Sequence, residues 1–331
     1  MSSCCIAVDL GGTQLRVAQV GDDGAIHWQS SVPTINEGNP AQVIEQISQL
    51  IAEQAHATPV GIAVAAPGPL DTRSGVVRRI PTLKGWENVD LRHLLTSRFD
   101  YPVVIENDAI AATVGQWRFG AGRGVNNLLY LTISTGIGGG MISGGQVIRG
   151  HRGFAGHVGH LLLYPESSVR CACGRYGCFE AYASGSALDA KARNLANVGS
   201  EACQKLWAEV MGEAATLSDM PATQAAATHL ANAAARGHQP SLAIWQEQGA
   251  LLAQGISTLV HAMDPERVVL GGSVSKSYRW FATSLHEQLE QRLMHEFASV
   301  QVKPAEQLED AGLLGVASLL FDSLQAGKSA R

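Results

Sequence analysis

Three short apolar runs in this chain each end in a glycine turn, and those turns constrain the fold more than any other feature. The first run is Ile6-Ala-Val-Asp9, broken by Gly11-Gly12-Thr13. The second is Asn127 to Ile133, followed by Ser134-Thr135-Gly136-Ile137-Gly138-Gly139-Gly140. The third is Arg267 to Leu270, ending in Gly271-Gly272-Ser273. Aliphatic, β-branched runs of this length read as buried strands. After the first turn Leu15 to Val20 reads as a return strand, and after the second Met141-Ile142-Ser143 does the same. Each is therefore a strand–turn–strand unit, with the second turn expected over Thr135 to Gly140. Glycine lets backbone N–H groups come close to an anion, and a threonine hydroxyl donates to a phosphate oxygen. Gly11, Gly12, Thr13, Thr135, Gly136, Gly138, Gly139 and Gly140 are thus candidates for holding phosphates. Gly271 and Gly272 cap the third run where an adenine or ribose would lie. Asp9 is placed to orient a Mg²⁺-bound water. Taken alone, the first turn also suits a hairpin that binds nothing.

The second turn contains a G-x-G core, but a short strand follows it where a dinucleotide fingerprint requires a long helix. It is not a Walker loop either, since no Gly-Lys-Ser/Thr follows. Elsewhere, His27 to Val32 suggests a third strand. Ala41 to Ala57 spaces Val43, Ile44, Ile47, Leu50 and Ile51 as a helix does, and Val60 to Ala65 reads as a buried strand. Val103-Val-Ile105 precedes an alanine-rich helix from Asn107-Asp108 to about Phe119. Helices dominate from Ser184 to His261, interrupted near Pro221 and Gly237-His238, and an apolar helix from Ala311 to Leu320 closes the chain. The expected fold is α/β, in two lobes with a cleft between them. Residues 1–115 would form a small N-terminal lobe to which a helix of about 311–331 returns. Residues 116–310 would form a larger lobe.

A chain of 331 residues is long for one core, which agrees with two lobes. Its formal charge of -5 supplies no basic field for nucleic acid. No apolar run approaches the ~18–20 residues that span a bilayer, and Cys4 to Val8 lacks the basic flank of a secretory signal. A cytoplasmic protein with no membrane or nucleic-acid partner is expected.

Val104-Ile-Glu106-Asn107-Asp108 puts an acid where a buried strand meets a helix. A carboxylate held there can accept the proton of a substrate hydroxyl, and phosphoryl transfer needs little beyond such a base, positioning and charge compensation. Both residues of an Asn-Asp pair are also good helix N-caps, so Asn107 and Asp108 alone do not decide. Of six cysteines, three fall in Cys171-Ala-Cys173-Gly-Arg-Tyr-Gly-Cys178, and His160 lies eleven positions upstream. One imidazole and three thiolates suit a closed, tetrahedral, structural Zn²⁺ site.

Together, Asp9-Leu-Gly-Gly-Thr13, Glu106-Asn-Asp108, Ser134 to Gly140, Gly156-His-Val-Gly-His160, the Cys171–Cys178 cluster and Gly271-Gly272-Ser273 resemble the ROK family (repressors, open reading frames, kinases) over nearly the whole chain. The resemblance implies an actin-like ATPase (sugar kinase) fold and ATP–Mg²⁺ chemistry. It makes Asp108 the base and puts Asn107 on the sugar. His160 becomes both a zinc ligand and a neighbour of the sugar pocket, and Glu180 a further sugar contact, though an acid there would otherwise read as a solvated surface residue. A homodimer is also implied. Kinases of the family usually carry lysine where this chain has Gln14 beside the first phosphate turn. They often carry asparagine in the loop matched by Pro81-Thr82-Leu83, where this chain has Thr82.

Glucokinases of the family read Glu-x-Gly-His where this chain has His157-Val-Gly-His160. A carboxylate only accepts hydrogen bonds, whereas a neutral imidazole also donates, as an acetamido carbonyl requires. His157 and the run Asp310-Ala-Gly-Leu-Leu-Gly315 look like bacterial N-acetylmannosamine kinases. The expectation is phosphorylation of N-acetylmannosamine at its 6-hydroxyl in sialic acid degradation, with glucose as the alternative sugar. The family's transcription repressors offer a different class, a sugar sensor without catalysis. They carry an N-terminal DNA-binding segment, for which a first phosphate turn at residue 9 leaves no room.

Overall fold

A computed structural model describes residues 3–54, 57–80, 82–195, 198–211, 225–306 and 309–329. The interruption expected near Pro221, and Pro81 of the loop before Thr82, lie outside them. The chain divides into two compact units, one of Met1–Leu129, Gly140–Gly156 and Glu306–Arg331, the other of Tyr130–Gly139 and His157–Ala305.

In the first unit, β1 (Cys4–Leu10), β2 (Gln14–Gly21) and β3 (Ile26–Pro33) form an antiparallel meander. β4 (Ile62–Ala66) joins β1 in parallel, and β8 (Val103–Asn107) joins β4 in parallel, giving the order β3-β2-β1-β4-β8. All five residues of β4 are buried, as expected of a parallel strand covered on both faces. One face packs Ile6, Val8, Leu10 and Val64 with Val43, Ile44, Ile47 and Leu50 of α1 (Pro40–Gln54). The other face is built of small residues, Ala7, Ala18, Ala63 and Ala65, so that Leu313, Val316, Ala317 and Leu320 of α10 (Ala311–Ser329) come close to it. A short sheet, β5 (Leu70–Asp71), β6 (Val76–Arg79) and β7 (Glu87–Asp90), leads into α2 (Leu91–Arg98), whose first turn is capped by Asp90.

α3 (Asp108–Phe119) follows β8 directly. It packs on α10 backbone to backbone: a Cβ on Gly115 would lie 2.0 Å from the Ala311 carbonyl oxygen, and one on Gly315 would lie 1.7 Å from that of Ala111. The closing glycine-containing run therefore has a packing reason of its own, and its helix continues beyond the apolar stretch that ends at Leu320 to Ser329, close to the expected span of about 311–331.

A second sheet has the order β11-β10-β9-β12-β13, from β9 (Leu128–Ile133), β10 (Ile137–Ser143), β11 (Gln146–Val147), β12 (Arg267–Gly271) and β13 (Gln301–Pro304). The second unit adds α4 (Phe179–Ala183), α5 (Gly185–Arg193), α6 (Glu201–Met211), α7 (Ala225–Ala235), α8 (Gln239–Met263) and α9 (Tyr278–Arg292). α8 begins with a His238 cap, and Phe179 fills the gap that Gly255 leaves on it. No helix among the described residues is long and apolar enough to cross a membrane.

The second turn is shorter than expected. β10 starts at Ile137, so Gly138, Gly139 and Gly140 lie inside a strand. Packing explains two of them: a Cβ on Gly139 would sit 2.5 Å from the Tyr130 carbonyl oxygen, and one on Gly140 would sit 2.1 Å from Thr113 Oγ1.

Candidate functional site

The sequence candidates gather into two groups, one in each unit. In the first unit, parallel pairing of β1, β4 and β8 sets Asp9, Ala65 and Glu106 abreast. Asp9 and the Asn107-Asp108 pair therefore share the sheet edge where these strands end. The turn after β1 is closed by the Gly11 N–H donating to the Gln14 carbonyl at 2.9 Å and by the Thr34 hydroxyl donating to the Gly11 carbonyl at 2.8 Å. Gly12 is small because Thr82 leaves no room: a Cβ there would meet Thr82 Oγ1 at 2.1 Å. The Thr13 side chain is exposed. Gln14 is also exposed, and its side-chain oxygen accepts from Ser31 Oγ at 3.4 Å.

Asp9 Oδ2 pairs with Arg16, its cross-strand neighbour, and lies 3.3 Å from where a Cβ on Gly312 would be, at the start of α10. Burial raises the Asp9 carboxyl above its ordinary range, and Arg16 works against that rise. Asn107 is the N-cap of α3: its side-chain oxygen accepts from the N–H groups of Ala109 at 3.0 Å and Ile110 at 3.2 Å. Its amide nitrogen donates to Asp108 Oδ1 at 3.0 Å, and that oxygen also accepts from the Ala109 N–H at 2.8 Å. Burial, reinforced by the charge of Asp9, pushes Asp108 up to about 6. Asp108 is thus oriented by fixed donors and ionised at neutral pH, yet basic enough to take a proton.

In the second unit, the turn after β9 is closed by the Ser134 N–H donating to the Gly136 carbonyl at 2.9 Å. Ser134 Oγ accepts from the Ser273 N–H at 3.1 Å, which ties this turn to Gly271-Gly272-Ser273. Gly272 has φ +83 and would clash with the Ile133 carbonyl oxygen if it carried a Cβ, at 2.4 Å. A Cβ on Gly271 would meet Tyr130 Oη at 2.1 Å. Thr135 is exposed, with its carbonyl accepting from Ser186 Oγ at 2.8 Å. Glu180 reaches across from α4: its Oε2 accepts from the Ile137 N–H at 2.9 Å, in the space that Gly136 leaves open.

His160, Cys171, Cys173 and Cys178 bring one ligand atom each within 4.8 Å of the others. Cys173 Sγ is 3.7 Å from Cys178 Sγ, and Cys171 Sγ is 3.7 Å from His160 Nδ1. A Zn–S bond of about 2.3 Å gives a tetrahedral edge of about 3.8 Å, so these four donors fit a zinc ion. The His157 and His160 rings stack with centroids 6.2 Å apart. His157 is exposed as a residue, but its imidazole is partly shielded from water. That partial loss of water, with His160 beside it, lowers its basicity against the pull of Glu180.

Sequence reasoning missed the residues that hold these groups. Arg16 on Asp9 was legible in principle, because a tight turn after β1 makes positions 9 and 16 partners. Glu106 is buried and ion-paired with Arg149 Nε at 2.7 Å, and nothing local in the sequence announces a partner 43 residues away.

The ROK family model matches residues 5–323. The chain is 33% identical over 321 residues to a glucokinase of Thermotoga maritima, covering 96% of this chain and 98% of that one. It is 32% identical over 317 residues to an N-acetylmannosamine kinase of Escherichia fergusonii, covering 95% and 97%. Its structure is similar to that of a ROK family glucokinase from Streptomyces griseus in complex with glucose and AMPPNP, with TM-score 0.80 and 29% identity over 96% of this chain and 99% of that one. The α/β architecture is accordingly the actin-like fold of these kinases. With a family match across almost its full length, this chain belongs to the ROK family, among its sugar kinases.

Proposed function

We propose that the chain transfers the γ-phosphoryl group of ATP to the 6-hydroxyl of N-acetylmannosamine, giving N-acetylmannosamine 6-phosphate for sialic acid degradation. The observation that carries the catalytic reading is Asp108, oriented by Asn107 and the Ala109 N–H and raised to about 6. A base near this value is ionised at neutral pH and still accepts a proton as the hydroxyl oxygen becomes a nucleophile. The sugar oxygen forms a bond to the γ-phosphorus, the bond from that phosphorus to the β–γ bridging oxygen breaks, ADP leaves with the electron pair, and the hydroxyl proton goes to Asp108. Magnesium bound with the nucleotide would offset phosphate charge, with Asp9 orienting its water shell. Gly11, Gly12, Thr13 and Gln14 would face the phosphates from the first turn. Thr135, Gly136 and the glycines of β10 would do so from the second, and Gly271 and Gly272 would border the adenosine. Zinc on His160, Cys171, Cys173 and Cys178 would brace a loop with little core of its own.

Asn107, His157, His160 and Glu180 would contact the sugar. Asn107 spends its oxygen on the α3 cap and one N–H on Asp108, which leaves its second N–H for a hydroxyl. The sugar preference rests on His157: a neutral imidazole both donates and accepts, which suits an acetamido group better than a carboxylate does. Glucose is the second reading, favoured by the glucokinase relatives. The test compares kcat/KM for N-acetylmannosamine, N-acetylglucosamine and glucose with one preparation. A tenfold or greater preference for N-acetylmannosamine is expected. A preference for glucose would keep the kinase and overturn the role given to His157.

A further inference from the structure

We infer that Arg149 is a positioning residue for Asp108, acting through the buried carboxylate of Glu106. The inference rests on Asp108 being the base of the proposed reaction. Glu106 is the fourth residue of β8 and is almost completely buried, its side chain 3% exposed. A carboxylate so placed is tolerated only when both oxygens are satisfied. Here Oε2 accepts from Arg149 Nε at 2.7 Å, and Oε1 turns back to accept from the backbone N–H of Asn107 at 3.0 Å. Asn107 then caps α3 with its side-chain oxygen and donates to Asp108 Oδ1 with its amide. Arg149, Glu106, Asn107 and Asp108 are thus linked in series, the step from Glu106 running through the backbone N–H of Asn107 and the step to Asp108 through its side-chain amide.

The cation end of the series is itself held. The Ala155 N–H donates to the Arg149 carbonyl at 3.0 Å, closing segment 149–155 on itself. Gly150 and Gly153 adopt positive φ within it, and a Cβ on Gly153 would meet Thr72 Oγ1 at 2.5 Å. Arg149 is therefore presented from a closed loop, not from the end of a free chain. An arginine that merely neutralised a buried acid would matter for stability alone. The link through the Asn107 N–H makes it more than that, because Asn107 sets both the first turn of α3 and the oxygen of Asp108 beside it. If Glu106 loses its partner it moves toward water and releases that N–H, and a shift of about 1 Å at a reacting group is enough to cost ~10²-fold in rate.

The experiment is a double-mutant cycle on the full-length protein, with Arg149→Met, Glu106→Gln and both together. kcat, KM for ATP, thermal unfolding and hydrogen exchange are read for each, with Arg149→Lys as the conservative variant. Arg149→Met should lower kcat by about 10- to 100-fold with KM for ATP within about twofold. Arg149→Lys should recover part of the loss. In the Glu106→Gln background, where a neutral amide oxygen still accepts from Asn107, the Met substitution should cost less than about threefold. Amides of residues 107–110 should exchange faster in Arg149→Met than in the parent. Reduced stability with unchanged kcat, or losses that simply multiply in the double variant, would overturn the inference. Should Arg149→Met fail to fold, Arg149→Lys and Glu106→Gln carry the same comparison. A parent protein that phosphorylates no sugar would defeat the proposed function instead, while the exchange measurement would still decide whether Arg149 orders the start of α3.

Discussion

Asp108→Asn should inactivate this protein and at the same time make it more stable. A carboxyl raised from its ordinary value of 3.8 to about 6 is one whose ionisation costs about 3 kcal/mol more in the folded protein than in the unfolded chain. The sign follows from which form the fold prefers. The folded-state value lies above the unfolded one, so the favourable contribution of the neutral acid is present in full below 3.8. It is lost as pH rises through 6, and at pH 7.5 the parent carries the whole penalty. Asparagine imitates the neutral acid, and its side-chain oxygen can still accept from Asn107 and from the Ala109 N–H. The variant should therefore unfold at a temperature higher by roughly 6–12 °C at pH 7.5, from about 2–4 °C per kcal/mol for units of this size.

The assay is thermal unfolding of both proteins from pH 8 down to pH 4, beside steady-state kinetics. The gap in unfolding temperature should shrink from pH 6 downward and close near pH 4, where Asp108 is protonated in the parent too. kcat should fall by about 10²- to 10⁴-fold in the variant, the usual worth of a positioned base. In the parent, kcat/KM should fall about tenfold per pH unit below about 6, and the residual rate of the variant should lack that limb. A variant no more stable than the parent at pH 7.5, or a gap that persists unchanged to pH 4, would refute the account of Asp108 as an acid strained by burial.

Cys171→Ser should lower the zinc content from about one per chain toward zero, read by elemental analysis, and should lower the unfolding temperature; unchanged metal would remove Cys171 from the site. Gly272→Ala should destabilise by about 1–3 kcal/mol, since it forces a left-handed backbone on alanine and drives a Cβ against the Ile133 carbonyl, and KM for ATP should rise with it. An unaffected KM for ATP would place that turn away from the nucleotide. His157→Glu should move the ratio of kcat/KM for N-acetylmannosamine over glucose toward glucose by about tenfold or more, the usual worth of one recognition contact; an unmoved ratio would make this position neutral.

Much of the fold was legible because the signals were local. Ile6 to Asp9 and its glycine turn read as half a hairpin, and Asp108 read as an acid at a strand–helix junction, since both follow from apolar runs and their stops. The cysteine spacing pointed to the cluster of His160, Cys171, Cys173 and Cys178 for the same reason: three of these four side chains lie within eight residues. Glycine itself caused the main misreading. Gly138 to Gly140 looked like a turn because glycine permits turns, but in β10 two of these positions exclude a side chain that would strike Tyr130 or Thr113. The same residue type serves both needs, and only the packed neighbours tell them apart. β5 to β7 were missed because strands of two to four residues carry no measurable alternation. The contacts that tune the site were out of reach for another reason. Arg149 on Glu106 and Glu180 on the Ile137 N–H join positions 43 residues apart, where no periodicity links them.

Two carboxylates raised by burial at one sheet edge would be a poor arrangement without compensation, and the first unit supplies it through its helices. Asp108 is the first residue of α3, and Asp9 lies against Gly312, the second residue of α10. Both acids therefore face helix N-termini, where unpaired N–H groups and the helix dipole favour negative charge. The helices reach that edge together because Gly115 and Gly315 let their backbones touch, and because the sheet face beneath α10 is made of alanines. A bulkier residue at either glycine would push one helix start away from the acid it serves. The small residues of α3, α10 and the sheet thus help to hold both acids against helix starts.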